Sequence, residues 1–317
     1  MKSTKIRTDV MVILGSFRGI FAILTTPFHT DLSLDEESLR KQVEFCVDSG
    51  CHGLVTPVNA SEFTALSDAE RIRIIEISAQ QANKRLPVIA GVAGVTSSVA
   101  REFTKQAAKA GVDGVIAMPP YITKASFAEI LDYYKQVADA ADGLPVMIQN
   151  YVAPVGTPMS AEECVEIVKN VENVLYVKEE TTYSGHVITQ IAELVKNLPE
   201  GSYLGTMGGK AGRYLIDEYR RGSCGNMPAC EIADIQAEIW NTLEAGDEKR
   251  AIQLYYRALP LLNMEFMYGH ILYKEVLYLR GVLDSPAVRT PNVPKLDSFD
   301  IAELRRVLKE LGVEVVR

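Results

Sequence analysis

Short apolar runs rich in β-branched residues alternate along this chain with longer stretches whose apolar residues recur every three or four positions. The runs are Ile20–Thr25, Gly53–Thr56, Val88–Val92, Gly114–Met118, Val146–Gln149, Leu175–Lys178, Tyr203–Thr206 and Cys224–Met227. After Ser67, Ile72, Ile75, Ala79 and Ala82 fall on one helix face. Ser33-x-x-Glu36, Ser67-x-x-Glu70, Ser126-x-x-Glu129 and Ser160-x-x-Glu163 have the form of capping boxes. Gly50, Gly111, Gly143 and Gly222 stand where helices should end. Strands alternating with helices predict parallel strands and right-handed crossovers. Eight such units predict an α/β chain, a (β/α)8 TIM barrel. An open doubly wound sheet calls for a phosphate-binding glycine loop after its first strand, and Thr25-Thr26-Pro27-Phe28 is not one. Beyond Glu231 the pattern is helical over 231–245, 247–268, 270–281 and 298–311. The expected division is an N-terminal extension (1–17), the barrel (18–245) and a C-terminal helical extension packed on it (246–317).

Composition narrows the function. Of 317 residues, 47% are hydrophobic and 23% charged, which supports a sizeable core and rules out a mostly disordered chain. A net charge of −8 argues against a nucleic-acid or membrane-surface partner and leaves a small molecule. The five cysteines are odd in number and lack Cys-x-x-Cys spacing, which predicts a reducing compartment, no disulfide framework and no thiolate zinc site. The four histidines are scattered, so no metal is expected. The apolar run Val10–Leu14 is too short for a signal-peptide core, and no stretch reaches the roughly 18 apolar residues of a membrane span. The expected location is cytoplasmic.

Barrels of this kind place their chemistry at the C-terminal ends of the strands. That selects Thr25, Thr26, Asn59, Glu62, Met118, Tyr121, Gln149, Asn150, Lys178, Glu180, Thr206 and the 224–229 segment. Lys178 closes the sixth run, in Tyr176-Val177-Lys178-Glu179-Glu180. Pointing inward, its ammonium is poorly solvated, and a neutral amine there forms Schiff bases with carbonyl compounds. The plain alternative is a solvated lysine paired with Glu180. Gly208-Gly209-Lys210-Ala211-Gly212 lacks the spacing of a phosphate loop and reads as a turn. Arg101, Glu102, Lys105 and Lys109 read as a solvated helix face. Tyr255, Tyr256, Phe266, Tyr268 and Tyr273 read as helix packing or a subunit interface, and Cys224 as core. His52 precedes the second strand, away from the expected chemistry.

Four segments carry a family resemblance. Gly19–Phe28 resembles the opening of the dihydrodipicolinate synthase/N-acetylneuraminate lyase superfamily. Ser61–Ser67 with Glu70-Arg71 is similar to its second βα segment, and Met118-Pro119-Pro120-Tyr121 to the loop after its fourth strand. Tyr176–Thr181 is similar to the segment that holds its Schiff-base lysine. The similarity runs over residues 18–312 in order and spacing. It implies a class I mechanism in which Lys178 forms an imine with a small 2-keto acid. No cofactor or metal is implied, and a homo-oligomer, dimer or tetramer, is.

The departures from the family pattern are informative. The family's Gly-Thr-Thr-Gly-Glu, which holds the substrate carboxylate, is here Val58-Asn59-Ala60-Ser61-Glu62, so a backbone cradle can survive while a hydroxyl relay is lost at Ala60. The family's proton-shuttling tyrosine in Tyr-Asn-x-Pro is replaced by Gln149, and an amide cannot take and return a proton as a phenol does. The arginine a few positions on has no counterpart near Pro154. Tyr151 is expected to face the other way along the strand. Glu62 is expected to be structural. With Ala153-Pro154 and Leu259-Pro260-Leu261-Leu262-Asn263, Gln149 resembles the 2-keto-3-deoxy-pentonate (L-arabonate) dehydratases. The resemblance implies Lys178 and Gln149 as catalytic residues, with Thr26, Asn59, Ala60, Tyr121, Glu180 and Thr206 around the substrate. The expected reaction is dehydration of a 2-keto-3-deoxy sugar acid. The alternatives are a pyruvate-dependent aldolase and a barrel that binds a keto acid without turnover.

Overall fold

The computed structural model describes residues 17–152 and 157–317. Eight parallel strands close in sequence order into a barrel. They are β1 (Gly19–Ile23), β2 (Gly53–Thr56), β3 (Val88–Gly91), β4 (Gly114–Ala117), β5 (Val146–Tyr151), β6 (Val174–Glu180), β7 (Gly205–Gly208) and β8 (Gly225–Asn226). The helices are α1 (Glu36–Asp48), α2 (Asp68–Ala82), α3 (Ser97–Lys109), α4 (Phe127–Ala140), α5 (Ala161–Asn170), α6 (Ser184–Val195), α7 (Leu215–Arg220), α8 (Ala233–Glu244), α9 (Glu248–Tyr268), α10 (His270–Leu279) and α11 (Ser298–Leu311). Most strand residues are buried on both faces, which is why the runs read as continuously apolar rather than alternating.

Four strands end two residues from their expected limits, among them β1 at Ile23 instead of Thr25 and β6 at Glu180 instead of Lys178. β5 runs two residues past Gln149, to Tyr151. β7 begins at Gly205 instead of Tyr203 and ends at Gly208. Its polar, glycine-rich end looks like a turn in the sequence. The strand tolerates those glycines because carboxylates fill the space of their missing side chains. A Cβ on Gly208 would collide with Glu218, and one on Gly209 with Glu180.

The capping boxes at Ser67, Ser126 and Ser160 form. The one expected at Ser33 does not. Asp35 caps α1 by accepting from the Ser38 amide, while Ser33 bonds Asp31. Gly50, Gly111, Gly143 and Gly222 all have positive φ just past a helix end, as expected.

The chain divides into two compact units. The first holds residues 17–18, Ile89–Gly209 and Asp217–Asn226, with β4 to β8 and α3 to α6. Within it Phe17 stacks on Tyr176 with ring centroids 5.2 Å apart and donates its amide to the Tyr176 hydroxyl. The second holds Gly19–Val88, Lys210–Ile216 and Met227–Arg317, with β1, β2, α1, α2 and α8 to α11. Its C-terminal helices share a core of Ala258, Leu261, Leu262, Leu272, Val276, Leu304 and Leu308, against which Tyr255 and Tyr268 pack. No helix among the described residues is long and apolar enough to cross a membrane.

Candidate active site

In the first unit β5 and β6 pair so that Gln149 lies beside Lys178, Asn150 beside Glu179 and Tyr151 beside Glu180. Neighbours in register on parallel strands share a face, and the face alternates along each strand. Gln149, Tyr151, Lys178 and Glu180 therefore share one face, and Asn150 and Glu179 the other. Lys178 is 1% exposed and Glu180 5%. The Lys178 Nζ lies 2.8 Å from Glu180 Oε2, and Gln149 Nε2 donates to the same oxygen at 2.9 Å. A buried amine, a carboxylate able to hold its proton and an amide that orients the carboxylate are thus assembled at the ends of two adjacent strands.

Behind this face stand two more buried carboxyl groups. Glu179 accepts from the Thr181 amide and hydroxyl and from Asn150 Nδ2 at 2.7 Å. Burial outweighs those bonds and raises its pKa above the usual carboxylate range. Asn150 also bonds both the amide and the carbonyl of Met159, which ties the far end of the loop after β5 to the strand. Glu218 accepts from Ser184 Oγ at 2.7 Å and Asn226 Nδ2 at 2.9 Å. Burial, reinforced by the negative charge of Glu180 and Glu179, pushes its pKa up to about 7.

Two expectations need correction. Thr206 lies in register with Val177, not Lys178, and bonds the Tyr203 hydroxyl, so the structure turns it away from the Lys178 face. Met207 is the β7 neighbour of Lys178. Tyr151 does not face away from Gln149. It sits two positions on in a strand longer than expected, beside Glu180. Tyr121 is half-buried in the segment after β4, where the Pro120 carbonyl accepts from Thr157. Ala153 and Pro154 lie outside the described residues.

The second unit holds Thr26, Asn59, Ala60 and Glu62. Thr26 Oγ1 donates to the Ser61 carbonyl at 2.6 Å, and Ser61 Oγ donates to the Leu24 carbonyl at 2.6 Å, which stitches the end of β1 to the loop after β2. Asn59 and Ala60 are half-buried in the 3-10 turn of that loop. Glu62 is structural, as expected, but its partners lie far along the chain. It bonds Lys274 Nζ, the Arg289 amide at 2.9 Å, and the amide and hydroxyl of Thr290 at 2.7 and 2.8 Å. Burial opposes its charge, yet the Lys274 ammonium and the Thr290 donors hold its pKa below the usual range.

Sequence reasoning missed Glu218 and Lys274 as buried titratable groups. Asp217-Glu218 reads as an exposed helix turn, and Lys274 sits between Tyr273 and Glu275 with no marking pattern. The signal for Glu218 was indirect: a strand ending in Gly208-Gly209 has room for the side chain of another residue against its backbone.

The fold is a closed parallel barrel that carries a buried lysine and carboxylate at the ends of its strands, where such barrels place their chemistry. Residues 16–311 match the dihydrodipicolinate synthetase family, and the chain belongs to that family of lyases. It is 31% identical over 300 residues to a 4-hydroxy-tetrahydrodipicolinate synthase of Methanosarcina mazei, covering 94% of this chain and 99% of that one. It is 29% identical over 304 residues to an L-2-keto-3-deoxyarabonate dehydratase of Azospirillum brasilense, covering 95% and 96%. The crystal structure of a dihydrodipicolinate synthase from Rhodopseudomonas palustris superposes with a TM-score of 0.84 at 27% identity, covering 92% and 97% of the two chains.

Proposed function

We infer that this protein dehydrates a 2-keto-3-deoxy sugar acid held as an imine on Lys178. One observation carries the reading. Beside the buried amine stands a carboxylate at 2.8 Å, and the adjacent β5 position is the amide Gln149 instead of a titrating phenol. The similarity to the arabonate dehydratase supports the same chemistry.

The steps follow from those groups. Glu180 takes a proton from the Lys178 ammonium, and the free amine adds to C2 of the keto acid. Returning the proton to the C2 oxygen releases water and leaves an iminium. The iminium draws electrons from C3, and Glu180 removes a C3 proton to give the enamine. The enamine electrons then expel the C4 hydroxyl, which Glu180 protonates as it departs as water. Hydrolysis of the conjugated imine restores the amine, and Glu180 ends as it began. A pentonate substrate yields 2-oxoglutarate semialdehyde after tautomerisation. Gln149 cannot exchange a proton, so its part is to aim Glu180.

A second reading, cleavage of the same imine to pyruvate and an aldehyde, is favoured by the phenol of Tyr151 on the Lys178 face. Cleavage needs a base at the C4 hydroxyl, and Tyr151 is the titrating hydroxyl nearest in register to Glu180.

Borohydride reduction in the presence of pyruvate or a 2-keto-3-deoxy acid tests the shared step. Peptide mapping should find the adduct on Lys178 alone. An adduct on Lys210, or none with any keto acid, would contradict the reading.

A further inference from the structure

β7 closes on Gly208, Gly209 follows it, and a carboxyl group lies against each glycine. A Cβ on Gly208 would fall on Glu218 Oε2, and one on Gly209 on Glu180 Oε1. Side chains alternate along a strand, so Gly209 shares the face of Met207 and Lys178, and Gly208 takes the face behind it. Glu180 therefore stands in front of the strand end, 2.8 Å from the Lys178 Nζ, and Glu218 stands behind it. At these two positions the strand carries no side chain to separate them.

Glu218 also joins neighbouring strand ends. Its Oε1 accepts from Ser184 Oγ at 2.7 Å, four residues past Glu180, and its Oε2 from Asn226 Nδ2 at 2.9 Å, at the end of β8. All three residues are buried. The charged groups that act on Glu218 from β6 are Glu180 and Glu179, both negative, while Asp217 on its own helix is paired with Arg221. Among the described residues no basic group pairs with it. Burial and the two like charges outweigh the two donors, so the carboxyl group keeps its proton up to about pH 7. Its partners serve both forms. A hydroxyl donates or accepts, and the Asn226 amide can turn over, because its Oδ1 is buried with no donor where it stands. If Glu218 only joined strand ends, a glutamine would do so without the cost of a buried acid. What the carboxyl group adds is a charge that appears as pH rises.

We propose that Glu218 is a positioning residue for the reaction at Lys178: uncharged, it leaves Glu180 in place against the lysine, and charged, it repels Glu180 from that place across the glycine end of β7. The inference rests on the reading of Glu180 as the base that frees the amine. Every group it uses belongs to the first compact unit.

The test is the initial rate of cyanoborohydride trapping at saturating pyruvate, measured on the full chain from pH 5.5 to 8.5, with folding followed by circular dichroism at each pH. Dividing the Glu218→Gln rate by the wild-type rate cancels the pH effects that the two proteins share. The ratio should be level below pH 6 and rise about tenfold between pH 6 and 8, as wild type gains a charge that the variant lacks. Ser184→Ala removes a donor that favours the charged form, so its decline should begin at a higher pH than that of wild type. It keeps the carboxyl group and serves if Glu218→Gln fails to fold. A ratio that stays constant with pH would overturn the inference and leave the keto-acid reading standing, since trapping would still occur. An unmoved decline in Ser184→Ala would do the same. So would a folded Glu218→Gln protein that traps nothing, because an uncharged side chain should suffice. Wild-type protein that traps nothing at any pH would remove the keto-acid reading and this inference together.

Discussion

The proposed dehydration asks three things of Glu180 in turn: to take the lysine proton, to take the C3 proton and to give one to the departing hydroxyl. Its distances to Lys178 Nζ and Gln149 Nε2 permit the first and fix its orientation for the others. Glu180→Gln keeps the hydrogen-bonding shape but cannot titrate. Dehydration should fall by about 10²-fold or more, while slow trapping of pyruvate on Lys178 persists. Equal loss of both would mean that Glu180 serves only imine formation. Gln149→Tyr restores a phenol next to Lys178, and the same keto acid should then give a measurable share of pyruvate. No change in product would show that Tyr151, not position 149, governs the choice between elimination and cleavage.

The end of β7 shows how an element accommodates these groups. Gly208 and Gly209 leave room for Glu218 and Glu180 against the strand backbone. Gly209→Ala should displace Glu180 and cut activity by at least tenfold, with a thermal midpoint closer to wild type than that of a core truncation. An active Gly209→Ala enzyme would contradict the placement of Glu180. Glu218 gives the pH dependence. Its pKa is raised from 4.5 to about 7 by burial, so the folded chain keeps a proton that the unfolded chain gives up. Stability is full below pH 4.5 on this account and falls as pH rises through 7. Glu218→Gln should lack that decline, as followed by the thermal midpoint from pH 4.5 to 8. A decline of wild-type size in the variant would place its origin elsewhere.

Most elements were legible in the sequence because they are local. Three of the four capping boxes form, and α9 to α11 follow the expected helical stretches closely. The inward, buried placement of Lys178 was legible because it closes an apolar run. The residues misread or missed depend on non-local facts. Thr206 and Tyr151 turn on the register and length of strands, and one residue of slip reverses the face. The buried partners of Glu62 lie more than 200 residues away in the chain, beyond any periodicity.

Across the whole chain the C-terminal segment is tied to the region after β2 by charge as well as by apolar packing. Arg289 bonds Glu70 through both terminal guanidinium nitrogens, at 2.7 and 2.8 Å. Hydrogen bonding to Arg289 lowers the Glu70 pKa from 4.5 to about 2. The stabilisation is present above pH 4.5 and is lost as pH falls toward 2. Glu70→Gln should therefore be less stable than wild type at pH 7, and the gap should close in acid. A gap that stays constant down to pH 2.5 would assign the loss to packing. The product made from a 2-keto-3-deoxy acid separates dehydration from cleavage. Incubation with a 2-keto-3-deoxy-pentonate, coupled to lactate dehydrogenase and read in parallel by mass spectrometry, tests the choice most directly. The product should have lost one water, with no stoichiometric pyruvate. Stoichiometric pyruvate with an aldehyde would contradict dehydration and make the enzyme an aldolase.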